Sequence, residues 1–190
     1  SLDDEGKRLL GVVRRNTRQM GQLIDDLLAF SRVGRAAMNP GRVEMEALAR
    51  AAWAELGADA SRAAFAAGPL PDVHGDAGLL RQVWVNLLSN AVKFSARAES
   101  PRVEVSASAA DGRVTFSVRD NGVGFDPAYG EKLFHVFQRL HSPREFPGTG
   151  VGLALVERIV RRHGGSVSAE GNPGAGATFR FTLPVREVTS

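Results

Sequence analysis

Asp120-Asn121-Gly122-Val123-Gly124-Phe125 is the stretch on which the reading of this chain turns. Just before it, Arg113-Val114-Thr115-Phe116-Ser117-Val118 alternates in polarity and is rich in β-branched and aromatic residues, which predicts a strand. A strand ending there carries Asp120 to the rim of a sheet, beside a backbone that two glycines leave bare. Glycine admits positive φ and lets a flat ligand approach the main chain. An anchored carboxylate accepts a hydrogen bond from a planar amino group such as that of adenine. Asp-Asn-Gly is also ordinary turn chemistry, so the same residues taken alone describe a hairpin or loop turn equally well. The flanking segments decide between the two.

Upstream, Arg102 to Ala109 and Gly112 to Arg119 alternate and are joined by Ala110-Asp111-Gly112, an antiparallel hairpin that ends in Asp120. Before the hairpin, Gly75 to Ser95 reads as a helix with Asp76 as its N-cap. At about 100° per residue, Gln82, Asn86, Asn90 and Lys93 form one narrow stripe, and Leu80, Val83, Leu87, Leu88 and Ala91 cover the other side. Amide oxygens are hard ligands suited to magnesium, and a lysine beside them neutralises phosphate. The plainer alternative is a solvated polar face. Such a face usually carries Glu, Lys and Arg, however, rather than paired asparagines, which are poor helix formers.

Downstream, Glu131 to Leu140 reads as a short helix with Leu133, Phe134 and Phe137 apolar, which on their own are equally core residues. His141 to Pro147 is irregular. Gly148-Thr149-Gly150-Val151-Gly152-Leu153 then opens a helix that runs through Val156, Ile159 and Val160 to His163, where Gly164-Gly165 ends it. Glycines at a helix N-terminus expose backbone amides and the positive dipole end, both favourable to phosphate. No strand precedes them, so this is not a Rossmann fingerprint. Ser166 to Glu170 and Thr178 to Leu183 are two closing strands around a Gly-rich turn.

The N-terminal part is of another kind. Glu5 to Val33 reads as one helix with Val13, Asn16, Met20, Leu23, Leu27 and Phe30 spaced alternately by three and four. Leu9, Leu10, Ile24 and Leu28 widen that seam, which suits a four-helix bundle, and Asn16 is the polar member that sets register. The alternative is an amphipathic helix packed on its own domain. Gly34 is expected to stop it, with a short linker after it. Arg42 to Met45 is a candidate short strand, Glu46 to Gly57 a helix and Ser61 to Ala66 a weak strand. The 190 residues are 43% hydrophobic and 24% charged, with a net charge of +3 and no run that would span a membrane, the composition of a globular protein. Arg and Lys are interleaved with Asp and Glu, so no nucleic-acid patch is expected. The absence of cysteine excludes disulfides and thiolate metal sites, and no signal peptide is evident, which makes the cytosol the expected compartment.

In order, these segments resemble the catalytic and ATP-binding domain of sensor histidine kinases. Asn86 to Phe94 resembles the N box, Asp120 to Gly124 the G1 box, Phe134 to Phe137 the F box and Gly148 to Leu153 the G2 box. Phe137 to Ser142 followed by Pro147 to Gly150 is similar to the phytochrome-type kinases, and Asp25 to Ser31 resembles the end of the second helix of the dimerization and histidine-phosphotransfer bundle. The resemblance implies residues 1–36 as part of that bundle, 37–42 as linker and 43–190 as the catalytic domain. For that domain it implies an α/β two-layer Bergerat fold, a mixed sheet covered on one face by helices, with ATP under a mobile lid.

Carried over residue by residue, Asp120 binds the adenine amino group and Gly124 leaves room for the base. Asn90 holds Mg2+ with help from Asn86, and Lys93 contacts phosphate. Gly150 and Gly152 present amides to the phosphates, and Thr178 lies near adenine. Phe94, Gly122, Phe134, Phe137, Gly148 and Leu153 complete the nucleotide site. In the related gyrase-type ATPases a glutamate that activates water stands at the position of Asn86. An amide is no general base near neutral pH, so phosphoryl transfer is expected rather than hydrolysis. The implied partners are a response regulator receiver domain and a second copy bound through the N-terminal helix. The acceptor histidine should precede an acidic residue in a helix. His74, His135, His141 and His163 lack that context and read as lid or surface residues, so the sequence is expected to begin after the acceptor helix. The alternatives are another Bergerat-fold ATPase, or a catalytically silent module that binds nucleotide or only dimerizes.

Overall fold

The computed structural model describes residues 3–35, 37–140, 145–146 and 148–185, with the side chains at 15 and 19 left out. Its frame is a five-stranded sheet of order β2-β4-β5-β7-β6, from β2 (Ala64–Ala67), β4 (Arg102–Ala110), β5 (Arg113–Asp120), β6 (Ser166–Asn172) and β7 (Gly176–Pro184). β2 runs parallel to β4 and the other pairs are antiparallel, which makes the sheet mixed. Alternation along β5 turns Val114, Phe116, Val118 and Asp120 inward and leaves Thr115, Ser117 and Arg119 on the opposite face. On that open face the Thr115 and Thr182 hydroxyls meet at 2.8 Å.

The inner face is covered by α3 (Ala77–Ser95) and α4 (Gly152–Arg162), with α2 (Met45–Glu55) against α3. The apolar side expected for α3 is the one that is buried, and Trp84 joins it. Trp84 meets Phe116 of β5 and Phe181 of β7 edge-on at 5.8 and 5.1 Å, and those two rings stack at 5.0 Å. This aromatic cluster fixes α3 across the middle of the sheet. The expected two-layer arrangement is therefore the one observed.

α3 begins where its cap predicts. Asp76 Oδ1 accepts from the Leu79 amide at 3.0 Å, and Oδ2 accepts from the Asn39 amide at 2.9 Å. Burial works against the Asp76 carboxylate, but the amides of Asn39, Leu79 and Gly78 and the nearby His163 outweigh it and hold its pKa low. Asp76→Ala should cost about 1–2 kcal/mol, read as a lowered urea midpoint at unchanged slope. Because the folded-state pKa is depressed, this contribution is present above the ordinary carboxylate range and is lost as pH falls through the lowered pKa.

Some expectations need correction. The N-terminal helix α1 (Asp4–Arg35) is not stopped at Gly34, which lies inside it with the Arg158 guanidinium where a β-carbon would sit. Val73–Gly75 forms an unexpected strand, β3, paired antiparallel with β1 (Gly41–Val43) in a separate two-stranded sheet. Three-residue strands are too short to show a period, and their pairing partner lies far along the chain. Glu131 to Leu140 is not a helix. Two 3-10 turns, Pro127–Tyr129 and Lys132–Phe134, are followed by Phe137 at φ 67°, whose amide donates to the Gly150 carbonyl at 3.0 Å. The backbone here is spent on the glycine loop instead of on a helical ladder.

His163 is not a surface residue either. It caps α4 and is buried, with Nδ1 at 2.8 Å from the Ile159 carbonyl and Nε2 accepting from the Asp76 amide at 3.0 Å. It joins the end of α4 to the start of α3. His141 lies outside the described residues.

Candidate functional site

Where α3, the ends of β5 and β7, and the glycine loop before α4 converge, they enclose a cavity of about 260 Å³. β5 delivers Asp120 to its base, between Val103 of β4 and Ala177 of β7. The side chain is 3% exposed, and its Oδ1 accepts from the Gly122 amide at 2.9 Å. Burial raises its pKa to about 6, against the pull of the Gly122 and Ala177 amides. It is thus a desolvated acceptor with capacity left, in a cavity that the mutually packed rings of Phe125 and Phe179 also line.

The two glycines after Asp120 are required by the backbone. A β-carbon on Gly122 would stand 2.3 Å from the Phe94 carbonyl oxygen, and one on Gly124, at φ 62°, would stand 2.0 Å from that of Asn172. They let the turn press against α3 on one side and the end of β6 on the other. Close packing of protein on protein therefore explains Gly122, which does not line the cavity. Gly124 does line it.

α3 supplies the polar wall. Asn86, Asn90 and Lys93 are half-buried and line the cavity, so the stripe is not a solvated face. Lys93 Nζ donates to Asn90 Oδ1 at 3.0 Å and lies 4.4 Å from the Phe94 ring centre. Burial, with the Arg139 cation adding to it, pushes the Lys93 pKa down to about 8. Asn86 Nδ2 donates to the Gln82 carbonyl at 2.8 Å, which turns Oδ1 toward Gly152. Two neutral amide oxygens beside an ammonium suit a hard cation that arrives with its own anionic ligands better than a free ion. No cluster of three His, Asp or Glu able to hold a metal by itself occurs among the described residues.

Gly148, Gly150, Gly152 and Leu153 line the cavity next to that wall, Gly152 beside Asn86 Oδ1 and Gly148 beside Lys93 Nζ. Three of the expected residues stay out of the cavity besides Gly122. Phe134 is buried in the core against Phe179, Phe137 is 57% exposed, and Thr178 faces the open side of the sheet with Arg119 and Arg180. Thr178 is displaced by the two-residue period, which turns its neighbour Ala177 inward. Residues the sequence reading missed take part as well. Arg139 donates to the Gly148 and Phe146 carbonyls, and Phe146 packs on Phe94 at 5.0 Å, with the Arg97 guanidinium over the Phe146 ring at 4.8 Å. Gln22 and Asp26 of α1 also line the cavity. The stretches around Arg139 and Asp26 carry a family resemblance, but no local pattern assigns these side chains to the cavity.

Comparison with known proteins identifies the family. Residues 75–187 match the family model described as "Histidine kinase-, DNA gyrase B-, and HSP90-like ATPase". Cyanobacterial phytochrome A of Nostoc sp. is 38% identical over 97% of this chain and 24% of its own length. Phytochrome-like protein Cph1 of Synechocystis sp. is 34% identical over 97% of this chain and 25% of its own length. This chain therefore spans about a quarter of the length of those relatives. Among solved structures, full-length ShkA in complex with AMPPNP aligns with a TM-score of 0.74 at 34% identity, over 97% of this chain and 40% of that one. The mycobacterial sensor histidine kinase MprB aligns with a TM-score of 0.68 at 27% identity, over 79% of this chain and 99% of that one. With more than half of its length matched by one family model, and a buried carboxylate, an amide-bearing helix and a glycine loop around one cavity, this chain belongs to the histidine kinase-, DNA gyrase B- and HSP90-like ATPase family.

Proposed function

We propose that this chain is the ATP-binding, phosphoryl-donating part of a sensor histidine kinase, with residues 43–190 as the catalytic domain, 37–42 as linker and 1–36 as a bundle helix. The observation that carries the reading is the pairing of desolvated Asp120 at one end of the cavity with Asn86, Asn90 and Lys93 along its wall. Asp120 accepts from the adenine amino group, and Phe125 and Phe179 offer apolar surface to the base. Asn90 and Asn86 hold Mg2+, which supplies charge neutralisation at the phosphates when bound. Lys93 adds a cation there, and the loop from Gly148 to Gly152 supplies backbone amides at the start of α4.

Asn86 orients and cannot take a proton, so water is not activated and the γ-phosphoryl group is kept for an acceptor. That acceptor is a histidine other than the buried His163 and the half-buried His74. His135 follows a 3-10 turn and is not on a helix. The exposed Leu9, Leu10, Val13, Met20, Ile24 and Leu28 of α1 suit a homodimeric bundle, and a response regulator receiver domain is the proposed recipient of the phosphoryl group.

Calorimetric titration with ADP and with a non-hydrolysable ATP analogue, with and without Mg2+, tests the reading. Magnesium-dependent binding is expected, and no binding at millimolar ligand would overturn it. The pH dependence should be distinctive. Ionised Asp120 is the stronger acceptor for the adenine amino group, so affinity should fall, by up to about tenfold for each pH unit, below about pH 6. Lys93 must be charged, so affinity for ADP and ATP should also weaken above about pH 8. Adenosine, which lacks phosphate, should show the acid limb alone.

A further inference from the structure

The C-terminal half of α1 is part of the cavity wall. Asp26 Oδ2 accepts from the hydroxyl of Thr149, the middle residue of Gly148-Thr149-Gly150, and Oδ1 accepts from Gln22 Nε2 at 2.8 Å. The helix is held in that position by α4. Val33 is buried, its carbonyl accepts from the Arg162 guanidinium, and Arg158 lies over the Phe30 ring at 4.5 Å. α1 thus carries a carboxylate onto the glycine loop, and that carboxylate occupies the Thr149 hydroxyl.

Among the described residues, the charged side chains lining the cavity are the cationic Lys93 and Arg139 and the anionic Asp26 and Asp120. Asp120 sits at the base, where the adenine is assigned. Asp26 sits at the glycine loop, where the phosphates are assigned, and offsets part of the positive charge that Lys93 and Arg139 bring there. Resting on the nucleotide reading above, we infer that Asp26 is a specificity-determining residue for phosphate charge. With α1 docked, its carboxylate penalises a bound polyphosphate in proportion to the charge that polyphosphate carries, so ATP is disfavoured relative to ADP and adenosine. Binding of a triphosphate and docking of α1 on the loop then oppose each other. Linkage requires that opposition to be equal in both directions.

The test is titration of the whole chain and of Asp26→Asn with adenosine, ADP and ATP at low salt, then at 0.5 M salt. Asp26→Asn should bind ATP about tenfold tighter and ADP about sixfold tighter in the absence of Mg2+, and adenosine equally well, because a Coulomb term scales with ligand charge. High salt should shrink the ATP gain, since screening acts on this term. Asp26→Asn keeps an acceptor oxygen for Thr149 on a half-exposed helical position, so its melting temperature should match that of the original chain. A gain equal for all three ligands, no gain, or a gain insensitive to salt would overturn the inference while leaving the nucleotide reading intact. Failure of the unaltered chain to bind adenosine and ADP would overturn both.

Discussion

Replacing Asp120 with Asn is expected to weaken adenine nucleotide binding at least about a hundredfold and, at the same time, to raise the melting temperature of the nucleotide-free chain. Both effects follow from the burial of one carboxylate. For the ligand, the amide places donor character against the donor amino group of adenine in a water-excluded site. A mismatched buried pair costs about 1–3 kcal/mol, and more where one partner was charged. For the fold, burial lifts the Asp120 pKa from the ordinary 3.8 to about 6. A folded-state pKa above the unfolded one means that the favourable contribution is fully present below about pH 4 and is lost as pH rises through 6.

At pH 7.5 the buried carboxylate therefore destabilises the domain by up to about 3 kcal/mol, and a neutral amide removes most of that. The gain should appear as roughly 4–8 °C in melting temperature at pH 7.5 and should close toward pH 4. The Gly122 amide still finds an oxygen at position 120, so the turn itself is retained. Unchanged affinity in calorimetry would remove Asp120 from the site. An unchanged or lower melting temperature would show that the carboxylate is not strained by burial.

The second large effect is at the other end of the cavity. Asn90→Ala should abolish the magnesium-dependent part of ATP affinity and lower phosphoryl transfer about 10²- to 10³-fold in the complete kinase, with adenosine affinity kept. Its amide oxygen is assigned to the cation and also accepts from Lys93 at 3.0 Å. Removing it deprives a half-buried ammonium of a partner and pushes its pKa below the present value of about 8, so the loss extends to the phosphate contact. Comparing adenosine with ATP separates the two variants: Asp120→Asn loses both ligands, Asn90→Ala only the phosphate-dependent part. Retained magnesium dependence in Asn90→Ala would move the cation elsewhere.

Much of this was legible before any coordinates. The alternation of β4 and β5, the cap at Asp76, the stripe on α3 and the glycine pair after Asp120 are local patterns. Each is a consequence of residues within one or two turns or a single hairpin, and each is found where it was expected. The aromatic residues of the stretch from Glu131 to Leu140 are less legible. Phe134 and Phe137 stand at helical spacing, but the chain turns through positive φ at Phe137, so one ring enters the core and the other faces solvent. Thr178 stands one residue out of phase with the cavity-facing side of β7.

The sequence by itself determined the two-layer α/β class, the order of the motifs and the presence of a carboxylate, amides and a lysine suited to a nucleotide, because period, capping and turn chemistry are short-range. Only the tertiary structure decided which of those groups share one cavity and how far burial moves Asp120 and Lys93. It alone brought Arg139, Phe146 and Asp26 to the site, and it turned His163 from an apparent surface residue into the joint between α3 and α4. The physical reason is that desolvation and contact depend on what the rest of the chain places within a few ångströms, and residues 26 and 149 lie next to each other only once α1 is laid along α4.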